Sequence, residues 1–327
     1  MSAPAWLDVR RKVVGGSDVP HLFDEHLDES WLSRWGLWMD KAGRMPARET
    51  NERMRWGNRL ESAVIAGVRE EWHLDAIGWG DFELAGTLPT DVQLVQADKN
   101  GKPSPVLVHT AGVGGTPDGL IRTSSGVVLL ECKTVDRWSF DAWDMELSAP
   151  YFLQVQTYLG LLGLPRAVVA VLVGGNRLER FDVEADPETF AGILAEAQRF
   201  WASVREDAPP PVRPVADADA VDRWFKRAGV YGQRVDLTET PGAVEVLARF
   251  EATKQAEAAA KDESKAARAA LELLIGSAEG AVIGSRIVSA PTIKAHPGKL
   301  ITQDDVGTRT GAREPYRRIS IAEAKAS

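Results

Sequence analysis

Asp118, Glu131 and Lys133 form the pattern Asp-x(12)-Glu-x-Lys inside residues 115–135. Two carboxylates and an ammonium can serve a hard cation, which takes oxygen ligands from one or two carboxylates, keeps several waters and accepts phosphate oxygens. Lys133 could then orient or deprotonate an attacking water and stabilise charge on a phosphate. The spacing works only on a hairpin. Apolar runs at 119–122 and 127–130 flank Thr123-Ser124-Ser125-Gly126, a short polar loop ending in the residue that best tolerates positive φ. In such a hairpin Asp118 opens the first strand, and Glu131 and Lys133, two apart on the second, point to the same side of the sheet. Taken alone, the pattern also fits a surface hairpin with ordinary charges, because short motifs match by chance.

Several elements are placed to support these groups. Residues 49–72 read as one helix whose apolar face is Leu60, Val64, Ile65, Val68 and Trp72. Glu61 flanks that face one turn before Ile65, where it either looks into a cleft or stays a solvated glutamate. Pro150 introduces a helix over 151–162 that stops at Gly163 before Pro165. On it Gln154 and Tyr158 are four apart and share a face, while Gln156 falls on another. Residues 167–173 are a continuous apolar run expected as a buried strand, with 178–183 as its hairpin partner, and Asp186-Pro187-Glu188 starts a helix to about residue 205.

Upstream, residues 6–12 read as a short helix and 13–20 as a turn into another, with Ser17 or Asp18 as the N-cap. Small residues ahead of a helix N-terminus leave backbone N–H groups free for a phosphate. Trp31, Trp35 and Trp38 make an aromatic stripe that suits core or lid packing, with base stacking as the other option. Residues 76–110 look strand-like but broken, with 101–105 as a loop tip, 106–109 leading towards Asp118, and His109 in a structural role.

Four pieces stand in order: Trp56-Gly57-Asn58-Arg59-Leu60-Glu61, Thr116-Pro117-Asp118-Gly119, Leu130-Glu131-Cys132-Lys133, and a helix carrying Gln154-x-x-x-Tyr158. Together they resemble the PD-(D/E)XK nuclease superfamily in its RecB-like, phage lambda exonuclease (YqaJ-type viral recombinase) branch. The resemblance implies Asp118 and Glu131, with Glu61 as an outer contact, as ligands of Mg²⁺, for which Mn²⁺ can substitute. It gives Lys133 and Gln154 catalytic roles and Tyr158 a supporting one. It extends to Trp6-x-x-x-Arg10 and Val13-Val14-Gly15-Gly16-Ser17-Asp18-Val19, and by it Arg10 and Ser17 engage the 5′-phosphate of a DNA end. The implied function is a double-strand 5′-to-3′ exonuclease of phage recombination. A restriction or repair endonuclease and a catalytically silent DNA-end-binding protein are the alternatives. Implied partners are double-stranded DNA ends, a single-strand annealing protein and further copies of the chain in a trimeric ring.

The 327 residues are 44% hydrophobic and 26% charged, ordinary for a soluble protein. No run approaches the roughly 18 apolar residues a membrane helix needs, and the first residues lack a basic-then-apolar signal, so a cytoplasmic protein with no membrane partner is expected. One cysteine, Cys132, excludes an intrachain disulfide and a cysteine-based zinc or iron–sulfur site. The net charge of −8, with the acidic excess in the first 210 residues, requires any DNA-binding groove to be a local basic feature. The expected fold is α/β, a central mixed sheet flanked by helices with a restriction-endonuclease-like core over residues 1–208. Residues 209–327, after the Pro209-Pro210-Pro211 linker, are expected as a helical C-terminal extension: a short amphipathic helix near 217–228, a long helix over 243–275, then a strand at 282–289 paired with 316–321, with a flexible stretch at 292–315 between them.

Overall fold

The hairpin around the candidate chemical residues lies at the heart of a five-stranded mixed sheet. A computed structural model describes residues 5–24, 26–27, 33–45, 51–82, 88–99, 102–143, 146–293, 299–300, 309–310, 316–317 and 320–323. Contacts divide the chain into two units, Met1–Tyr231 and Gly232–Ser327.

In the first unit, Gly119–Thr123 and Gly126–Val135 pair antiparallel with Gly119 opposite Leu130, joined through Ser124 and Ser125. Asp75–Gly78 flanks the shorter strand antiparallel, and Arg166–Val173 flanks the longer one in parallel, with Arg177–Glu184 antiparallel at the far edge. The parallel step requires a crossover, which the Ala149–Leu162 helix makes on one face. Strand alternation divides the two faces. Leu120, Leu129, Val169 and Val171 pack with Val155, Tyr158 and Leu159 of that helix. On the other face Ile121, Val128, Leu130, Val168 and Ala170 pack with Val64, Ile65 and Val68. Those three belong to the Glu52–Trp72 helix, capped by Asn51, whose side chain accepts from Met54 N at 2.8 Å. Residues 49 and 50 of the expected helix lie outside the described residues.

A smaller four-stranded sheet runs Val14–Gly15, Val113–Gly115, Val106–His109 and Val92–Val95. Residues 106–109 thus pair with the strand that precedes Asp118. The broken 98–103 region closes as a short pairing of Asp98–Lys99 with Lys102–Pro103. Of the tryptophan stripe, Trp35 and Trp38 are core residues, packed with Phe200 and Ile193. Trp31 lies outside the described residues. His109 accepts a hydrogen bond from Ala111 N at 3.0 Å and meets Phe190 edge-on, a structural role.

The proline linker is not where the contacts divide the chain. Beyond it Arg213 pairs with the buried Asp24, Asp217 accepts from Ser33 Oγ at 2.7 Å, and the Ala218–Ala228 helix buries Ala220 and sets Trp224 edge-on to Trp35. An amphipathic helix must cover its apolar side, and this one does so on the first unit. By contacts, residues 209–231 go with the first unit.

In the second unit the Ala243–Ile275 helix buries its C-terminal end, with Ile275 packed on Val288 and Ala290. The strand expected over 282–289 is instead a hairpin, Gly280–Ile283 with Arg286–Ser289, turning at Gly284 with φ +60°. Its third strand is Ser320–Glu323, while Tyr316–Arg317 pairs with Thr292–Ile293. Most of 294–315 lies outside the described residues. Among the described residues no helix is long and apolar enough to cross a membrane.

Candidate nuclease-type site

Because Gly119 lies opposite Leu130, Asp118 stands at the strand end beside Glu131. Asp118 Oδ2 accepts from Cys132 N at 2.8 Å, which ties the carboxylate to the neighbouring backbone. Glu131 is 1% exposed. Its Oε1 accepts from Gln154 Nε2 at 2.6 Å and from Lys133, whose ammonium also lies 5.2 Å from the centre of the Tyr151 ring. Its Oε2 is buried without a hydrogen-bond partner among the described residues. Cys132, between them, faces the opposite side with the Val64 and Leu130 cluster, where burial raises its thiol pKa.

Charge is concentrated here. Burial, then the neighbouring Asp118, push Glu131 up to about 8, against the pull of Lys133. Burial and Asp118 likewise push Glu61 up to about 7, against Lys99 and Lys133. Burial opposes the charge on Lys133, but Glu131 and Asp118 outweigh it and raise its pKa. Two glutamates whose charge Asp118 opposes, one with an orphaned buried oxygen, form a site short of positive charge. Among the described residues no three His, Cys, Asp or Glu side chains close into a metal cage. The donor set fits a hard cation bound through a carboxylate pair and completed by water and phosphate oxygens.

The crossover helix supplies the other wall. Gln154 points at Glu131, and Tyr158, one turn on, is buried between two glycine backbones. A Cβ on Gly16 would lie 2.6 Å from its ring, and one on Gly115 2.7 Å. Gln156 is buried elsewhere, donating to Glu184 O and accepting from Asp186 N, each at 2.8 Å, so it anchors structure outside the site. Gly16→Ala should therefore cost about 1–3 kcal/mol by overpacking. The fall in denaturant midpoint measures it, and an unchanged midpoint would show that the ring has room to move.

Gly16 also explains how the N-terminal segment arrives. Val14 pairs with Val113 and Gly15 with Gly114 in parallel, which lays the segment carrying Arg10 and Ser17 beside the approach to Asp118. Arg10 Nη2 is 3.4 Å from Ser17 Oγ and 3.4 Å from Asp18 Oδ2. Asp18 does not cap a helix as expected. The helix that follows is a five-residue 3-10 turn, Val19–Phe23, and the Asp18 carboxylate accepts instead from Gly15 N at 3.0 Å and Lys41 Nζ at 2.9 Å. Burial raises Asp18, but Lys41 and Arg10 outweigh it and hold it well below the usual carboxylate range. Gly16 N is bonded to Gly114 O. With the N–H groups of Gly15 and Gly16 engaged, an anion here would meet the Arg10 and Ser17 side chains rather than those two amides.

Sequence reasoning missed Lys41 and Lys99. Lys41, 3% exposed at its side chain, holds Asp18 and Arg10 O from a helix whose pattern announces only core packing. Lys99 sits 4.6 Å from the Trp6 ring centre and Arg10 5.1 Å, so Trp6 lies within reach of two cations, and its indole N–H donates to Thr116 Oγ1 at 3.3 Å. The Trp6-x-x-x-Arg10 spacing was the one visible trace of this arrangement.

Residues 5–164 match the YqaJ-like viral recombinase domain, a span that holds every residue named in this site. Over this segment, just under half of its length, the chain is similar to the YqaJ-like family. Among curated proteins, the uncharacterised YqaJ of Bacillus subtilis (strain 168) is 30% identical over 207 residues, 62% of this chain and 56% of that protein, so the chain spans about half the length of this relative. Among solved structures, an alkaline exonuclease from Laribacter hongkongensis is 18% identical over 68% of this chain and 98% of its own, with a TM-score of 0.43. A phage-related exonuclease from Haemophilus somnus 129PT is 14% identical over 60% and 96%, with a TM-score of 0.36. The mixed α/β architecture of this chain stands on its own strand pairing.

Proposed function

We propose that this YqaJ-like chain is a metal-dependent deoxyribonuclease, and that it degrades duplex DNA from its ends in the 5′-to-3′ direction during phage-type recombination. The observation that carries the reading is the buried Glu131 beside Asp118, with Oε1 held by Lys133 and Gln154 and Oε2 without a hydrogen-bond partner among the described residues. Asp118 and Glu131 would hold Mg²⁺, with Mn²⁺ as a substitute and Glu61 as an outer contact. When bound, the cation supplies Lewis acidity at a phosphate and lowers the pKa of water.

The protein's own groups have separable tasks. Gln154 fixes the rotamer of Glu131. Lys133, held charged by its neighbours, stabilises negative charge developing on the phosphate. Tyr158 fills the space between Gly16 and Gly115 and so keeps the N-terminal segment at its distance from the carboxylates. Arg10, oriented by Asp18 and accompanied by Ser17, takes the 5′-phosphate of a DNA end, since a guanidinium offers a rigid fork matched to phosphate oxygens. The family resemblance adds a single-strand annealing protein and a closed ring of three copies as partners.

Incubating the purified protein and Mg²⁺ with linear and circular duplexes of one sequence tests the reading. Loss of linear DNA alone is expected. Cutting of both forms would make the protein an endonuclease, and binding without cutting a silent module. The end-anchoring role makes its own demand: wild type should digest a 5′-phosphorylated end faster than a 5′-hydroxyl end, and Arg10→Ala should erase that preference while retaining slow digestion of both. A mutant that keeps the preference in full returns Arg10 to a plain surface charge.

A further inference from the structure

The parallel pair of Val14–Gly15 and Val113–Gly115 has two ends. One meets Tyr158 and leads to Asp118. The other opens on a cavity of about 520 Å³ walled by Lys12, Thr110, Gly112, Gln198, Trp201 and Arg205. Its floor is rigid. Gly112 O accepts from Val14 N and from the Trp201 indole N–H, both at 2.8 Å, and a Cβ on Gly112 would lie 2.4 Å from that indole nitrogen.

The walls carry two cations and no acid. Lys12 and Arg205 are exposed, and among the described residues neither has an ion partner. Of the acids nearby along the chain, Asp207 pairs with Arg44 at 2.6 Å, Asp8 with Arg11 at 3.8 Å, and Glu196 with Arg34 and Arg199, while Glu206, next to Arg205, is exposed and outside the cavity lining. Gln198 and Thr110 add a neutral amide and a hydroxyl that can donate. In a chain of net charge −8 this is a local positive concavity, the feature that a DNA path on an acidic protein requires.

We infer that this cavity is a second phosphate subsite, taking a backbone phosphate of the DNA strand whose reacting phosphate lies at Asp118 and Glu131. The inference rests on the nuclease reading above. On this placement Lys12 and Arg205 act on the strand's path, and the bond-breaking groups act on its end.

Duplex binding over a salt series tests the inference, with wild type compared to Lys12→Ala/Arg205→Ala. Arg122→Ala/Arg166→Ala serves as a control that removes the same charge near the hairpin's turn. Each lost phosphate contact flattens the slope of log K against log salt by about 0.9, so the cavity variant, which loses one phosphate, should lose about 0.9 and the control nothing. Equal slopes for wild type and cavity variant, or an equal loss in the control, overturn the subsite. Inorganic phosphate is the second probe. If it binds wild type in a manner that depends on Lys12 and Arg205 while the duplex slope stays fixed, the cavity serves free phosphate and the strand path is wrong. Should the alanine variant fold poorly by circular dichroism, Lys12→Gln/Arg205→Gln removes the charge and keeps the bulk. A wild type that neither binds nor cuts DNA sinks the nuclease reading itself, which is a different result from unchanged slopes in a protein that cuts.

Discussion

Asp118→Asn is expected to lower Mg²⁺-dependent DNA cleavage by roughly 10³-fold or more, with the fold intact. A cation held by Asp118 would contribute several kcal/mol to stabilising transition-state charge, and each 1.36 kcal/mol is a factor of ten in rate. The fold survives because asparagine keeps an oxygen to accept from Cys132 N, the bond that ties the end of one hairpin strand to the other. What it loses is the negative charge that, with burial, drives Glu131 and Glu61 upward. Cleavage should be measured across a Mg²⁺ titration, with thermal melting and metal binding alongside. A variant that cleaves normally at low Mg²⁺ would remove Asp118 from the ligand set. One that no longer melts cooperatively would show that the carboxylate is structural.

Lys133→Ala should slow the single-turnover rate by about 10²–10³ and leave DNA binding near its wild-type level, the usual cost of losing one preorganised contact to developing charge. Its ammonium is 14% exposed at the side chain, bonded to Glu131 and set against the Tyr151 ring, so it is fixed before substrate arrives. Lys133 and Asp118 should also respond differently to the metal. Extra Mg²⁺ should partly restore Asp118→Asn, where a ligand is weakened, and should not restore Lys133→Ala. If the single-turnover rate of Lys133→Ala is unchanged, the lysine is only the counter-ion of a buried glutamate.

Hairpin register and helix phase were legible from the chain because both are local. Period-2 alternation set Glu131 and Lys133 on one face and Cys132 on the other, and the 119–122/127–130 pattern put Asp118 at the strand end. Period-3.6 spacing put Gln154 and Tyr158 on one side of their helix and Glu61 at the rim of an apolar stripe. What was not legible involved either a break inside a run or a partner far away. Gly284 turns 282–289 into a hairpin, and the Ala218–Ala228 helix crosses the proline linker to reach Trp35.

The chemical types at the site were thus determined by the sequence, together with the elements that carry them. Tertiary structure alone decided their environment. Glu131 is buried with one oxygen bonded and the other without a partner among the described residues because Lys133 and a helix some twenty residues away converge on the same oxygen. Arg10 comes near Tyr158 because Val14–Gly15 pairs in parallel with Val113–Gly115, a contact about a hundred residues apart that no local period encodes. Lys41, Lys99 and the Lys12–Arg205 cavity were invisible for the same reason: a lone cation in a sequence has no address until pairing over long separations brings its neighbours to it.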